Sequence, residues 1–172
     1  MAKKIFTIGY SIHNIDTFIK MLKAFEIEQL VDIRSIPMSR NCPDYNKDEF
    51  AITLKNENIT YYHLKELGGL RKPLKDSLNT GWNNNSFRGF ADYMSSENFQ
   101  NGLKKLIKLA SSKKTVIMCA EGIPWRCHRS LIADALTLQG WEVFHIQSKK
   151  TAKPHSLTSF LIVKDGQLFY KN

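Results

Sequence analysis

An alternation limits this fold more than any other feature of the chain: short apolar or β-branched runs recur, and stretches with helical spacing separate most of them. Residues 4–9 (KIFTIG), 29–34 (QLVDIR), 60–65 (TYYHLK), 115–119 (TVIMC) and 142–146 (EVFHI) have the length and composition of strands. Between the first two, Ile15, Phe18, Ile19, Leu22 and Phe25 recur at the helical interval, with Asn14 as N-cap and Asp16 in the first turn. Asn46 caps a shorter predicted helix carrying Phe50 and Leu54. Phe99, Leu103, Leu106, Ile107 and Ala110 mark the clearest amphipathic helix, and Leu131, Ile132, Ala135 and Leu136 a last one that Gly140 ends. Strands that alternate with helices form a mostly parallel sheet covered on both faces. The predicted fold is therefore α/β, a Rossmann-like three-layer sandwich with a sheet of about five strands. A C-terminal hairpin should follow, turning at Asp165-Gly166.

One stretch escapes the alternation. Residues 68–92 show no sustained period and carry Pro73, Gly81, Gly89 and the polar run from Trp82 to Ser86. A segment of that length inside a compact domain is expected to be a lid or binding loop.

A chain of 172 residues suits one domain over its whole length, with enough apolar content for a core without disulfides. Its opening residues lack the apolar core and cleavage site of a signal peptide, and its apolar runs are too short to span a bilayer. The expected location is cytoplasmic, with no membrane partner. There the odd set Cys42, Cys119 and Cys127 is more readily buried, metal-bound or catalytic than bridged. A formal net charge of +9 favours anionic partners: a phosphorylated small molecule or nucleic acid.

In such a sheet the carboxyl ends of the strands share one edge, where ligands bind. The first strand brings Tyr10, Ser11 and His13 there, and the second Asp32, Arg34, Ser35 and Arg40. Gly68, Gly69 and Arg71 follow the third, and His145 and Gln147 close the fifth. All the arginines (Arg34, Arg40, Arg71, Arg88, Arg126 and Arg129) fall in or beside loops that follow strands, whereas the lysines are scattered. That bias suits a phosphate or carboxylate site, since guanidinium forks match both; the plainer reading is that these arginines pack against loop backbone.

The stretch MCAEGIPWRCHRS, residues 118–130, is the centre of the edge. A helix amino terminus near Cys127 makes an anion cradle, and its field, with Arg126 or Arg129, lowers a thiol pKa. Cys119 and Cys127 are thus candidate nucleophiles, weighed against inert buried thiols. His128 adjoins Cys127, and helical neighbours diverge by some 100°, so Glu121, Asp32 and His145 are the better-placed candidate bases. The Cys119-x6-Arg126 spacing is one residue longer than the phosphatase signature. A zinc site fits poorly, because Cys-x7-Cys-His offers no close ligand pair. The first turn, Gly9-Tyr10-Ser11, lacks the dinucleotide fingerprint, so neither a metal nor a cofactor is expected.

Five motifs in order, TIGYS, LVDIRSIPMSR, LGGLR, GFADYM and MCAEGIPWRCHRSLIADAL, resemble those of the Domain of Unknown Function family numbered 488, from Ile5 to about His155. The resemblance implies a compact bacterial or archaeal cytosolic α/β domain and carries no agreed reaction. At the second position of the opening turn the family pattern has histidine and this chain has Tyr10, so no role is transferred to it.

The expected function is an enzyme acting on a phosphate-bearing substrate, a nucleotide or nucleic-acid fragment, with arginine clamps and a cysteine nucleophile. Arg34, Arg40, Arg71, Arg126, Arg129, Ser11, Tyr10, His128, Gly68 and Gly69 are the candidate binding residues. The rival is a nucleic-acid-binding module that stacks bases on Trp82, Phe87, Phe90 and Trp125. A redox or sulfur-carrying thiol pair would require the two sulfurs to meet.

Overall fold

The computed structural model describes residues 3–171. Parallel strands β1 (Lys3–Gly9), β2 (Gln29–Asp32), β3 (Thr60–His63), β4 (Thr115–Cys119) and β5 (Trp141–Ile146) form one sheet. A short sixth strand, β6 (Ala152–Pro154), adds antiparallel to β5, giving the order β3-β2-β4-β1-β5-β6. The sheet is thus mostly parallel and one strand larger than the periodicity predicts. Three-residue β6, KP-containing and largely exposed, carries no hydrophobic alternation by which to find it.

Helices cover both faces. Alternation along the strands sends Phe6, Ile8, Leu30, Val116 and Met118 to one side. There they meet Phe18 and Leu22 of α1 (Ile15–Ala24) and Phe50 and Leu54 of α2 (Lys47–Asn56). Ile5, Val31, Ile117 and Val143 go to the other side, under α3 (Asn85–Tyr93), α4 (Glu97–Ser112) and α5 (Arg129–Leu138). Burying each of these side chains contributes about 1.5–3 kcal/mol, so a one-residue register slip, which would exchange the faces, is excluded. Asn14 caps α1 by accepting from the Thr17 amide at 2.8 Å. Asn46 precedes α2 without capping it; its Oδ1 accepts instead from the Ser39 amide at 2.7 Å and ties down the loop before the helix.

The segment 68–92 contains α3, which the sequence pattern hides. Asn84 caps it through the amides of Ser86 and Phe87, and Phe90 and Ala91 are buried. Gly89 interrupts the pattern because a Cβ there would lie 2.1 Å from the Arg71 carbonyl oxygen. The residues before α3 are held by the Asp92 carboxylate, which accepts from the Leu74 amide, the Ser77 hydroxyl and the Asn79 side chain.

The C-terminal hairpin pairs β7 (Leu161–Lys164) with β8 (Gln167–Tyr170) across Asp165 and Gly166, whose φ values of 52° and 76° suit a type I′ turn. Among the described residues no helix is long and apolar enough to cross a membrane.

Strand order fixes where a site can form. After β1 the chain crosses to α1 on one face, and after β4, its neighbour, it crosses to α5 on the other. The two connections part at the carboxyl ends of β1 and β4, which opens a crevice there. In the register of this pair Gly9 lies opposite Cys119.

Candidate functional site: a paired thiol over a buried arginine

Gly9 is required by what crosses it. A Cβ there would fall 1.9 Å from the Glu121 carbonyl oxygen and 2.6 Å from Arg129 Nη1. With no side chain in the way, the turn after β4 folds over the end of β1, and the Ser11 amide donates to the Ala120 carbonyl at 2.9 Å. A 3₁₀ turn, Pro124–Arg126, then leads to Cys127, which is extended (φ −134°, ψ 147°) before α5 begins.

Cys127 is thereby returned to Cys119. Their sulfurs lie 2.7 Å apart, closer than ordinary contact between thiols yet beyond the S–S bond length of about 2.05 Å. Beneath them sits Arg129, fully buried at the start of α5. Its Nη1 donates to Cys119 Sγ at 3.0 Å and to the Glu121 carbonyl, and its Nη2 to the Gly122 carbonyl at 3.1 Å. The backbone carbonyls orient the guanidinium without neutralising it, so its charge acts on the sulfur.

The two thiols separate in acidity. Burial opposes ionisation of Cys119, but the hydrogen bond from Cys127 and the Arg129 cation outweigh it and bring the pKa down to about 7. Cys127 moves well up, first through burial and then because it donates to Cys119 and faces the charge forming there. Near neutral pH Cys119 therefore exchanges between thiol and thiolate while Cys127 stays protonated.

His128 closes one side. Its Nε2 lies 3.0 Å from the Ile33 carbonyl, which can only accept, so that nitrogen carries the proton and Nδ1 presents a lone pair 3.5 Å from Cys127 Sγ. Helical geometry would have turned the ring away from this sulfur; the approach exists because Cys127 is not helical. Burial lowers the His128 pKa to about 4, with Arg129 and Arg71 assisting, so the ring is a neutral acceptor.

These groups wall a cavity of about 430 Å³, within the range of small-ligand sites. Cys119 ends β4 and Glu121, Arg126, Cys127 and His128 come from the turn after it, while Tyr10 follows β1, Arg34 follows β2, and Gly69 lies in the segment after β3. Glu121 turns its Oε1 to the Ile123 amide at 3.1 Å. The Arg126 side chain is exposed and has no hydrogen-bond or ion-pair partner among the described residues.

The other sequence candidates lie apart. Asp32 is fully buried and engaged: it accepts from the Arg34 amide and guanidinium and from the Tyr61 hydroxyl. Burial works against the Arg34 cation, but the Asp32 hydrogen bonds and charge more than restore it. Its remaining Nη1 is 3.2 Å from the Tyr10 hydroxyl. Arg71 covers the Tyr93 ring at 3.7 Å and donates to the Gly68 carbonyl, Arg88 donates to the Trp82 carbonyl, and Arg40 is exposed outside the cavity. Two of the six arginines thus line the cavity, Arg34 and Arg126, with Arg129 below. The rest do not converge: backbone carbonyls and an aromatic face hold Arg71 and Arg88 locally, and Arg40 is exposed elsewhere. Gly68 packs on Ser35, where a Cβ would lie 2.4 Å from its Oγ, and Ser11 stays on the far side of the turn.

His145 faces elsewhere. It joins a buried chain in which Thr7 Oγ1 lies 2.6 Å from His145 Nδ1, His145 Nε2 lies 2.8 Å from His155 Nδ1, and His155 Nε2 lies 2.8 Å from Asp134 Oδ1. The Asp134 carboxylate also accepts from the Thr158 amide and hydroxyl and the Tyr170 hydroxyl. One arrangement of protons satisfies every member: each imidazole donates from Nε2 toward Asp134 and accepts at Nδ1.

Sequence reasoning missed the apolar rim of the thiol cavity. Ile36 and Met38 after β2 and Leu70 after β3 are 63%, 66% and 77% exposed there. Their signal was available, since each is a large apolar residue in a loop with no helical or strand period to bury it.

A doubly wound α/β domain with a dithiol at its topological switch point is the class that fold and site define. The family model for the domain of unknown function DUF488 matches residues 14–136, and the chain belongs to that family. No curated protein and no solved structure matches it.

Proposed function

We propose that the protein is a thiol-dependent enzyme in which Cys119 is the nucleophile and Cys127 the thiol that resolves its adduct. The observation that carries this reading is the contact of the two sulfurs over a buried guanidinium. An anion beside a cation is a thiolate poised for attack, and an adjacent protonated thiol supplies the second sulfur.

The chemistry is thiol–disulfide exchange. The Cys119 thiolate attacks one sulfur of a substrate disulfide, its S–S bond breaks, and one half leaves as thiolate. Cys127 transfers its proton to solvent or to the departing thiolate and attacks the Cys119 sulfur. The second half then leaves and a Cys119–Cys127 disulfide forms. Two electrons pass from the dithiol to the substrate, and an external dithiol reductant restores the pair. Arg126, exposed at the rim, favours a substrate carrying carboxylate or phosphate. Phosphate recognition by many arginines is not the arrangement this reading uses. Base stacking on Phe90 is excluded by its complete burial.

The test uses dithiobis-nitrobenzoate, an anionic aromatic disulfide, on the Cys42→Ala protein at neutral pH. The parent is expected to release both halves of the reagent and end as an intramolecular disulfide. Cys127→Ser should release one half and retain the other as a mixed disulfide on Cys119. Cys119→Ser should react far more slowly. Equal rates for the two serine variants, or a parent that retains the adduct, would overturn the assignment.

A further inference from the structure

The 3₁₀ turn Pro124–Arg126 has a cavity on each side. Arg126 faces the thiols, while Pro124 and Trp125 border a separate hollow of about 520 Å³ toward β6. We infer that this second cavity binds a nucleobase that carries a phosphate, with the base against Trp125 and the phosphate toward Lys153.

Three observations converge on that chemistry. Trp125 leaves 67% of its surface to solvent although it sits on a short turn between buried Pro124 and buried Cys127. An indole held open on a fixed turn is a stacking platform, and every nucleobase offers a π face to it. Trp82 lines the same cavity, and its Nε1 is buried with no hydrogen-bond partner. That nitrogen is enclosed by protein atoms, so Trp82 meets a ligand through its ring, a second aromatic surface in the same hollow. The third observation is charge. Lys149, Lys150 and Lys153 lie within residues 147–158, which contain no aspartate or glutamate, and Lys153 lines the cavity.

The histidines in the wall sharpen the ligand class. His145 and His155 also line the hollow, but both nitrogens of each are engaged in the chain to Asp134. They present ring surface rather than metal-binding lone pairs, which suits a flat organic ligand better than a cation. The inference is independent of the thiol chemistry, since none of these residues touches either sulfur.

Adenosine monophosphate and a short single-stranded oligodeoxyadenylate serve as probes, because a base with its phosphate could come free or in a strand. The full chain, labelled with nitrogen-15 in its tryptophan indoles, is titrated with each, and Trp82→Phe assigns the Trp82 signal. A saturable shift of that signal is expected with one probe or both, and the probe that binds tighter identifies the source. Trp125→Ala, at an exposed position, should weaken binding by roughly tenfold while leaving the remaining spectrum in place. Raised salt should weaken it further. Ribose 5-phosphate, which lacks the base, should leave the indoles unmoved. The inference fails if neither probe shifts Trp82 by about 10 mM, a concentration that would reveal even millimolar affinity, or if Trp125→Ala binds as tightly as the parent.

Discussion

The thiol pair and the histidine chain are both buried polar groups at the carboxyl side of one sheet, yet Cys119 is drawn toward its charged form and His145 is held in its neutral one. The difference lies in whether the neighbours of each group oppose burial or reinforce it. Arg129 lowers the pKa of Cys119 by stabilising an anion, and it lowers that of His145 by opposing a second cation. Burial opposes the charged form in both cases; it is overcome at the thiol by a hydrogen bond and a salt-like contact, and reinforced at the imidazole by His155 and Arg129. Burial of a titratable group is therefore not itself a sign of reactivity. The hydrogen bonds and charges around it decide whether burial is overcome or reinforced.

The comparison can be strained first with acid, where the largest effect is expected. His145 and His128 have folded pKa values of about 3 and 4, below the unfolded value near 6.5. Below pH 6.5 the unfolded chain binds protons that the folded chain refuses, so their contribution is intact above that pH and lost as pH falls toward 4. Between pH 6.5 and 5 the loss is roughly 3 kcal/mol for the two together. Urea unfolding at a series of pH values measures it, and a flat profile across that window would contradict both shifts.

A smaller effect separates the two regions. Asp134→Asn keeps the shape of the side chain but offers donors where His155, Thr158 and Tyr170 need an acceptor. It should cost about 2 kcal/mol, read from the urea midpoint. The pH dependence of Cys119 alkylation by iodoacetamide should stay unchanged, and a moved midpoint would show that the regions are coupled through more than Arg129.

The smallest effect in energy tests Arg129 itself. Arg129→Met keeps most of the buried volume while removing the charge, so the alkylation midpoint of Cys119 should rise from about 7 by roughly one pH unit or more, equivalent to about 1.4 kcal/mol. An unmoved midpoint would assign the low pKa to the Cys127 hydrogen bond alone. Inorganic phosphate should slow the same alkylation in the parent through Arg126.

Much of this was legible in advance. The alternation of apolar runs and helical periods was enough to give a mostly parallel, doubly covered sheet. That in turn placed Tyr10, Arg34, Gly69 and the turn containing both cysteines on one edge. The arginines show where such reading stops. Arg34 precedes any ligand with a partner of its own, Asp32, two residues away. Arg71 finds an aromatic face, and Arg129 slides under the turn because Gly9 leaves room. Helix α3 was hidden because a backbone contact elsewhere required Gly89 in the middle of its apolar face. The histidine chain was invisible for another reason: Thr7 and His145 are 138 positions apart, and no local pattern relates them.

From the sequence alone came the two faces of each element, the order of the strands along the chain and the edge on which polar residues gather, because hydrophobic period and chain direction are local properties. Only the tertiary structure decided that Cys119 and Cys127 touch, that Cys119 is the more acidic of the two, and that a single guanidinium acts on both a thiol and an imidazole. Those outcomes depend on distance and burial across the fold, and Coulomb interactions follow separation in space rather than separation along the chain.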